Sequence, residues 1–528
     1  MWINKLFGIL CLVSLAAVSQ ADNTAKTPLE NRAERDGYYS VLDYGAKGDA
    51  VHDDAAAFQK ALDAAGARGG TVIVPPVGPG KGYVITRTVN VPSSVTLMGS
   101  PAGLSNNAWA AFPLPDTIIK GAKIFARPTV SQYNQPKKKP LFLLNGGCTV
   151  RGFWILYDRQ PWPSDEEFQD PKSKFHYKSF EDARASYVKD HVRTYGPTFY
   201  APNATANIVL EDICCDRYYD FFFQARGGKT FINRICCYGY NRAFVFQECL
   251  DINRITQVHC VPNTGPSCPG MNAEGRTNSW IYGILTSQPD SIGIQMGRND
   301  GYVFSDIFFF AVNTGIRIGA SKEYPILDPV TGVKAYYDPE TKEQFGFQFP
   351  YDAQGAWGDI NSFDVEACAI GIHFVWPSPL ATKITGARIS TGIDDGTNFQ
   401  AVSGTGNLTG VGKQGAFVIE PSFSRQNNIN IIPTIMCSNS VISTYNDPMR
   451  MGPAGLNASG ANGRLFLIDG DATMDFTSLL VNHPYNTETF SARGPHSKNV
   501  SIKVRGFIQT GTPYDDIQSD GASVKPLK

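Results

Sequence analysis

Short apolar runs, separated by glycine, proline and polar turns, predict β-strands along most of the chain. A different period occurs at residues 55–67, where small and apolar residues recur at helical spacing. Asp53 and Asp54 precede this segment and can accept hydrogen bonds from the free N–H groups at a helix start. One helix followed by short strands predicts a strand stack closed at its N-terminal end. The first strands after the helix are expected at Thr71–Val74, Tyr83–Ile85, Val89–Val91 and Val95–Met98.

A repeated pattern from residue 208 onward indicates stacked coils. Asp-Ile, Arg-Ile or Asp-Val is followed, after a bend, by an apolar-x-apolar triplet. Asp212, Asp306 and Asp364 begin three of these repeats, and we expect them at turns or strand starts. Two insertions interrupt the coils, at about 157–207 and 322–355. Long segments of this kind are often functional.

Residues 38–103 contain, in order, VLDYGAKGD, DDAAAFQKAL, GGTVIVPP and VPSSVTLMGS. This combination resembles the N-terminal module of the pectate-lyase-like superfamily, in the branch related to glycoside hydrolase family 28. The resemblance implies an all-β chain folded as a right-handed parallel β-helix, a solenoid with an N-terminal capping helix and long loop insertions. Most characterised members cut, epimerise or bind polysaccharides, so it also implies a polysaccharide partner. One fold hosts several chemistries, and the reaction stays open.

The N-terminus is typical of a secretory signal. Lys5 precedes an apolar run at residues 6–18, and a small-x-small cleavage site follows. The run is too short to span a membrane comfortably. We therefore predict a secreted or periplasmic protein. The expected division is 1–21 signal peptide, 22–37 leader, 38–511 parallel β-helix and 512–528 tail.

The net charge limits the classes of partner that the protein can bind, and the cysteine content bears on disulfides and metal sites. The net charge of −1 and the pI of about 6.7 argue against nucleic acid, and no other stretch suggests a membrane. The signal contains Cys11, so ten of the 11 cysteines follow it. In an exported protein these form disulfides between coils or remain buried thiols, and both alternatives stay open. The spacing of Cys214-Cys215 and Cys236-Cys237 is not that of a zinc module, and no metal site is expected.

A glycine followed by apolar-x-apolar recurs four times in the second half of the chain and sets a register. If the apolar side chains point into the coil, the middle residues point outward. Neighbouring strands would place them about 4.8 Å apart. The predicted outward row consists of Gln295, Arg317, His373 and Asp394, with Asp395 beside it and with Val245 and Phe222 continuing it towards the N-terminus.

Two chemistries fit this row. A glycoside hydrolase needs two carboxyl groups, which Asp394 would supply together with Asp395, Glu366 or Asp359. A polysaccharide lyase needs a cation beside the uronate carboxylate and a base for the adjacent C–H. Arg317 and His373 would fill these roles. No cofactor is expected for the hydrolase, and calcium only for a lyase.

Further residues are candidates for substrate binding. Gln295 and Glu366 would donate to or accept from sugar hydroxyls. Trp162 and Tyr177 lie in the first insertion, which is rich in aromatic residues, and would stack on sugar faces. The plainer alternative is that these aromatics pack the insertion onto the solenoid.

The whole row also has a plainer interpretation, as an ordinary polar face with His373 as an exposed strand residue. The polygalacturonase motifs Gly-Asp-Asp-Cys, Gly-His-Gly and Arg-Ile-Lys do not occur in the sequence. We predict a polysaccharide-cleaving enzyme, with a glycoside hydrolase ahead of a lyase. A non-catalytic glycan-binding or structural solenoid stays open, as does the oligomeric state, trimers included.

Overall fold

The chain winds as a parallel β-helix. Each coil adds a strand to each of two ladders of parallel, in-register strands. This confirms the parallel β-helix predicted from the sequence. The computed structural model describes residues 36–100, 121–133, 135–202, 205–261, 279–338, 341, 343–348, 356–376, 380–391, 415–420, 434–444, 466–468, 472–483, 490–492, 500–511, 517–519 and 523–526.

The first ladder, called here the straight sheet, presents one row of side chains to the inside of the coils. This row runs through Phe222, Phe244, Ile294, Ile316 and Ile372, all fully buried. Alternation along each strand sends the next residue outward. With strands numbered in chain order, it consists of β4 (Val89–Val91), β7 (Phe142–Leu144), β9 (Phe199–Ala201), β10 (Thr205–Ala206), β12 (Phe222–Gly228), β14 (Arg242–Cys249), the first part of β16 (Ile292–Phe310), β17 (Thr314–Ile318), β22 (Ile370–Phe374), β25 (Gly415–Ile419), β27 (Phe466–Ile468), β29 (Phe490–Ala492) and β31 (Ile517–Ser519).

The second ladder, called the bent sheet, turns within each coil at a residue with left-handed backbone. Asp212, Arg234 and Asp306 have φ of 55°, 54° and 53°, which confirms Asp212 and Asp306 as turn residues. Ser362 takes this position in a later coil with φ of 50°, so the expectation for Asp364 was wrong. The bent sheet consists of β1 (Tyr38–Ser40), β2 (Gly70–Val74), β3 (Tyr83–Ile85), β5 (Val95–Gly99), β6 (Ala122–Ala126), β8 (Thr149–Leu156), β11 (Val209–Tyr218), β13 (Phe231–Gly239), β15 (Asn253–Cys260), the second part of β16, β21 (Trp357–Cys368), β23 (Thr382–Thr385), β24 (Arg388–Thr391), β26 (Thr434–Thr444), β28 (Ala472–His483), β30 (Val500–Gly511) and β32 (Ser523–Pro526).

Helix α1 (Ala55–Gly66) covers the first coils, as predicted. Its apolar face, which includes Phe58 and Leu62, is fully buried. Asp53 accepts a hydrogen bond from the backbone N–H of the first helical residue at 3.1 Å. Asp54 instead accepts from the backbone N–H of Lys47 at 2.6 Å and so fixes the preceding glycine-rich turn.

Two insertions lie outside the coils. The first contains helices α2 (Asp165–Gln169) and α3 (Phe180–His191). It ends earlier than the predicted residue 207, because β9 already pairs with β7 and β12. Helix α4 (Ser279–Ser287) follows β15 and packs against α3. The second insertion, called here the cover, forms a small antiparallel sheet between β17 and β21, made of β18 (Ile326–Leu327), β19 (Lys334–Tyr337) and β20 (Gln344–Phe345).

The ends of the chain differ in what the structure shows. The predicted signal peptide lies outside the described residues. Strands β31 and β32 pair with β29 and β30, so β structure continues beyond residue 511 into the predicted tail. Among the described residues, no helix is long and apolar enough to cross a membrane.

Candidate functional site

The predicted row exists on the straight sheet. Gln295 lies opposite Arg317 on the neighbouring strand, and Arg317 lies opposite His373. The continuation by Val245 is also confirmed. The row then continues through Phe223. The predicted continuation by Phe222 was therefore wrong, because a shift of one residue along a strand puts the side chain on the opposite face of the sheet.

The other end of the row differs from the prediction. His373 lies opposite Val418 of β25, and this strand follows β22 in the straight sheet. Val418 thus occupies the position predicted for Asp394. The segment before residue 392, β24, belongs to the bent sheet. Asp394 and Asp395 themselves lie outside the described residues.

The row is not open to solvent. Gln295 is 2 % exposed, Arg317 4 % and His373 0 %. The reason is the cover, which packs apolar side chains such as Ile326 and Tyr337 over the outward face of the straight sheet. The expectation of an exposed polar face was therefore wrong, because outward from the coil does not mean outward from the molecule.

Contacts within the protein engage both charged residues of the row, although Arg317 Nε is buried without a hydrogen-bond partner in the described part of the chain. His373 Nε2 lies 2.7 Å from Glu420 Oε1, and its ring packs edge-on against Tyr324 of the cover at 4.7 Å. Arg317 Nη2 donates to the carbonyl oxygen of Pro289 at 3.0 Å, and its guanidinium lies 5.2 Å from the Tyr324 ring centre. Burial lowers the pKa of Arg317. These contacts stabilise the packing of the cover on the coil.

A second polar group on this sheet binds the cover directly. Arg242 forms a two-point ion pair with Asp220, with 3.0 Å between Nη2 and Oδ2. Its Nη1 also donates to the carbonyl oxygen of Leu327 in the cover at 2.9 Å. The pair is almost wholly buried. It is therefore suited to holding the cover rather than to binding a polymer.

A different pair of acids lies on the bent sheet. Asp364 and Glu366 occupy alternate positions of β21, so both side chains lie on its outer face. Both are half-buried. The sequence singled out Glu366 but assigned Asp364 to a turn. The sequence does contain a signal for this pair, since an Asp-x-Glu pattern in a strand places both acids on one face. The signal was missed because Asp364-Val365 resembles the Asp-Ile pair that begins the turn repeat.

The neighbouring strands surround this pair with apolar and charged groups. Phe308 lies opposite Asp364, and Phe310 lies opposite Glu366. On the other side, Arg388 and Ser390 face the same two acids. Arg388 Nη1 is 3.8 Å from Asp364 Oδ2. The result is a half-open surface with a phenyl ring, two carboxyls and a cation on successive coils.

The environment favours the protonated form of both acids. Burial, followed by the nearby Glu366, raises the pKa of Asp364 from 3.8 to about 6, while Arg388 acts in the opposite direction. Burial also raises the pKa of Glu366, again opposed by Arg388. Asp364 Oδ1 is buried and has no hydrogen-bond partner in the described part of the chain. Perturbed acids of this kind are typical of catalytic sites.

The other predicted binding residues lie on the first insertion. Trp162 is buried against Tyr238 and Tyr240, with ring centres 5.5 and 5.3 Å away. Tyr177 donates from its hydroxyl to Asp190 at 3.1 Å. Both contacts match the packing alternative. The structure therefore groups Gln295, Arg317 and His373, and separates them from Glu366, Trp162 and Tyr177.

No group of three or more His, Cys, Asp or Glu residues in the described ranges is arranged to hold a metal ion. The described cysteines are free thiols, most of them buried. Cys214 and Cys215 lie opposite Cys236 and Cys237 on neighbouring coils, which confirms the predicted one-coil spacing.

Comparison with known families supports the resemblance seen in the sequence. Residues 38–139 match the profile of the family described as rhamnogalacturonase A/epimerase, pectate lyase-like. The N-terminal part of the chain is therefore similar to a pectate lyase-like module, and the described coils form a parallel β-helix. No curated protein matches the chain.

Several solved structures align with most of the chain. An exopolygalacturonase from Thermotoga maritima has 10 % identity and a TM-score of 0.41, over 93 % of this chain and 97 % of that one. A mannuronan C-5 epimerase A-module from Azotobacter vinelandii has 12 % identity and a TM-score of 0.37, over 93 % and 100 %. The DFA-IIIase of Arthrobacter chlorophenolicus has 10 % identity and a TM-score of 0.42, over 93 % and 92 %. At these TM-scores the likenesses carry no argument about activity.

Proposed function

We propose that this protein is a secreted glycoside hydrolase that cleaves a polysaccharide on the outer face of the bent sheet, with Asp364 and Glu366 as its catalytic acids. The observation that supports this most directly is the pair itself. The two carboxyls share one face, both have a raised pKa, and Asp364 Oδ1 is buried without a partner among the described residues. A hydrolase needs two carboxyls with different roles.

The spacing of the pair favours one stereochemical outcome. Alternate residues of a strand lie about 6.6 Å apart, twice the rise of about 3.3 Å per residue. Inverting glycosidases hold their carboxyls at about 6.5–9.5 Å, and retaining ones at about 5–5.5 Å. This is a backbone spacing, and carboxyl groups that keep it would leave room for a water molecule. We therefore propose a reaction that inverts the anomeric carbon.

The raised pKa of Asp364 suggests which role each acid takes. Asp364, with a pKa of about 6, would be the general acid that protonates the leaving oxygen. Glu366 would be the general base that activates water. Phe308 offers an apolar face for a sugar ring next to Asp364. Arg388, exposed beside Asp364, would hold the acid in place and attract an acidic polymer.

The lyase alternative has less support. Its proposed residues, Arg317 and His373, are buried beneath the cover and already bound to Pro289, Tyr324 and Glu420. A uronate cannot reach them unless the cover moves away. The matched family name includes a rhamnogalacturonase, so pectic polysaccharides are the first substrates to test.

The test combines product analysis with matched variants. Purified protein is incubated with acidic and neutral polysaccharides, and products are analysed by mass spectrometry and by NMR of the newly formed anomer. We expect one added water per cut, inverted configuration, and loss of products in Asp364→Asn and in Glu366→Gln. Asp359→Asn, on the same strand but before the bend, is the control and should remain active.

Other results would contradict this assignment. Products that lack the added water and carry a new double bond would indicate a lyase. Normal turnover in Asp364→Asn together with loss in Asp394→Asn would move the site to the acids outside the described residues. Glycan binding without any product would favour the non-catalytic solenoid.

A further inference from the structure

A pocket of about 490 Å³ lies between α3 and the coils, away from the Asp364–Glu366 pair. Sites for small molecules typically have volumes of about 300–1,000 Å³. Val188 of α3 and Val192 just after this helix line the pocket, together with Tyr219 and Gln288. The proposed hydrolase leaves this pocket without a role.

The pocket carries positive charge. Lys138 and Lys189 both line it, whereas none of its lining residues is acidic. The Lys138 ammonium lies 5.5 Å from the centre of the Tyr219 ring. Among the described residues, no carboxylate forms an ion pair with it. Burial lowers the pKa of Lys138, with Arg242 acting in the same direction and Asp220 opposing both.

Asp220, the acid whose charge acts on Lys138, is already engaged. Asp220 Oδ1 accepts from Arg242 Nε at 3.0 Å and from Asn241 Nδ2 at 2.8 Å, and Oδ2 accepts from Arg242 Nη2 at 3.0 Å. The half-buried Lys138 ammonium therefore lacks a direct counter-charge. A bound anion would supply one and would restore the favourable charged form of the amine.

The remaining lining groups indicate what the anion carries. The Tyr219 ring and the two valines offer apolar surface for the C–H face of a sugar ring. The Gln288 amide donates to the carbonyl oxygen of Arg184 at 3.2 Å, and its second N–H and its oxygen can exchange hydrogen bonds with sugar hydroxyl groups.

We propose that this pocket is a second binding site that takes a single hexuronate unit, with the carboxylate on Lys138 and the ring against Tyr219. The site is separate from the proposed catalytic acids and does not depend on them. It would hold an acidic glycan on the first insertion while another part of the same chain lies on the bent sheet.

The test is a titration of the purified protein with glucuronate, followed by isothermal calorimetry or ligand-observed NMR. Glucose, which lacks the carboxylate, and inorganic phosphate, which lacks the ring, are the comparison probes. Glucuronate should bind at least about tenfold more tightly than either, as one charge-assisted hydrogen bond warrants. Lys138→Met should lose about tenfold, and Lys137→Met, an exposed neighbour outside the pocket, should bind normally.

Each other result contradicts the proposal. Equal binding of glucose and glucuronate, or tighter binding of phosphate, would exclude a uronate site. Equal affinities of Lys138→Met and Lys137→Met would exclude Lys138. If Lys138→Met is unstable, the exposed Lys189→Met replaces it and should weaken glucuronate binding by about threefold, whereas normal binding would again exclude the site. Lys383→Gln, which removes an exposed cation of the bent sheet, should bind glucuronate normally, and this separates the pocket from binding along that sheet.

Discussion

The Nε2 atom of His373 lies 2.7 Å from Oε1 of Glu420, and neither side chain is more than 2 % exposed. The two residues belong to neighbouring coils of the straight sheet, and Glu420 directly follows β25. Tyr324 of the cover closes the site from outside. The imidazole that the sequence placed in an active row is thus a packing element between coil and cover.

The first prediction concerns this pair. Glu420→Ala would leave buried His373 without its carboxylate partner, and we expect the free energy of unfolding to fall by about 2–4 kcal/mol. Thermal melting with circular dichroism measures the loss. Glu343→Ala removes an exposed acid of the cover and should melt like the wild type. If Glu420→Ala had the same melting temperature as the wild type, the contact between His373 and Glu420 would not stabilise the protein.

The second prediction separates a catalytic acid from a structural one. The folded-state pKa of Asp364, about 6, lies above its ordinary value of 3.8. The native state therefore holds this proton more tightly, and stability falls as the pH rises from about 4 to 6. Asp364→Asn removes this loss. We expect greater stability at pH 7, by about 1 kcal/mol after allowing for its 24 % exposure, with no gain at pH 4.

The same variant should lose activity by about 10²–10⁴-fold, the usual contribution of a general acid. Asp220→Asn is the matched comparison, because it leaves Arg242 buried without its partner and should destabilise the protein by about 3 kcal/mol. Melting curves at pH 4 and pH 7 measure the change in stability of both variants, and activity assays measure the change in turnover. Destabilisation by Asp364→Asn at pH 7 would assign this acid a structural role.

The third prediction is a pH profile. If Asp364 acts as the protonated acid, kcat/KM should fall above pH 6 as it ionises. Arg388 lowers the pKa of Asp364. Arg388→Gln should therefore move the pH at which kcat/KM falls, the alkaline limb of the profile, upward by up to about one unit. Lys383→Gln, on the neighbouring strand β23, should leave the limb in place. An unshifted limb in Arg388→Gln would mean that another group titrates.

The fourth prediction concerns two thiols inside the coils. Cys237 Sγ and Cys260 Sγ are 3.0 Å apart and buried on neighbouring strands. Parallel strands hold Cα atoms about 4.8 Å apart, within the range of about 4.4–6.8 Å that disulfides require. Burial raises the pKa of Cys260, so attack in the folded state is slow and bonding belongs to folding.

Export into an oxidising compartment should therefore join these residues, with two protons and two electrons passing to a disulfide-donating oxidant. A non-reduced peptide map would show the two peptides linked and about 2 Da lighter than their sum, as loss of two hydrogens requires. Cys237→Ser should lack the linked peptide. Free thiols at both positions after oxidative export would contradict the prediction.

The amino-acid sequence by itself determined the parts that depend on neighbours in the chain. The helical period of residues 55–67 produced α1, and the apolar-x-apolar repeats produced the alignment of Gln295, Arg317 and His373. Alternation along a strand is local, so a glycine anchor was enough to set this register. It failed beyond His373, because β25 rather than the segment at 392 continues the sheet.

Only the tertiary structure decided which outward row a substrate can reach. The cover folds back over the straight sheet through long-range contacts such as Arg242 with Leu327, which no local pattern encodes. On the bent sheet, the left-handed bend at Ser362 places Asp364 within the strand, on the same outer face as Glu366. Burial of that pair by neighbouring coils then raised the pKa values of both acids. The sequence determines that Asp364 and Glu366 are present, and the winding of the chain determines how their carboxyls are buried and why their pKa values are raised.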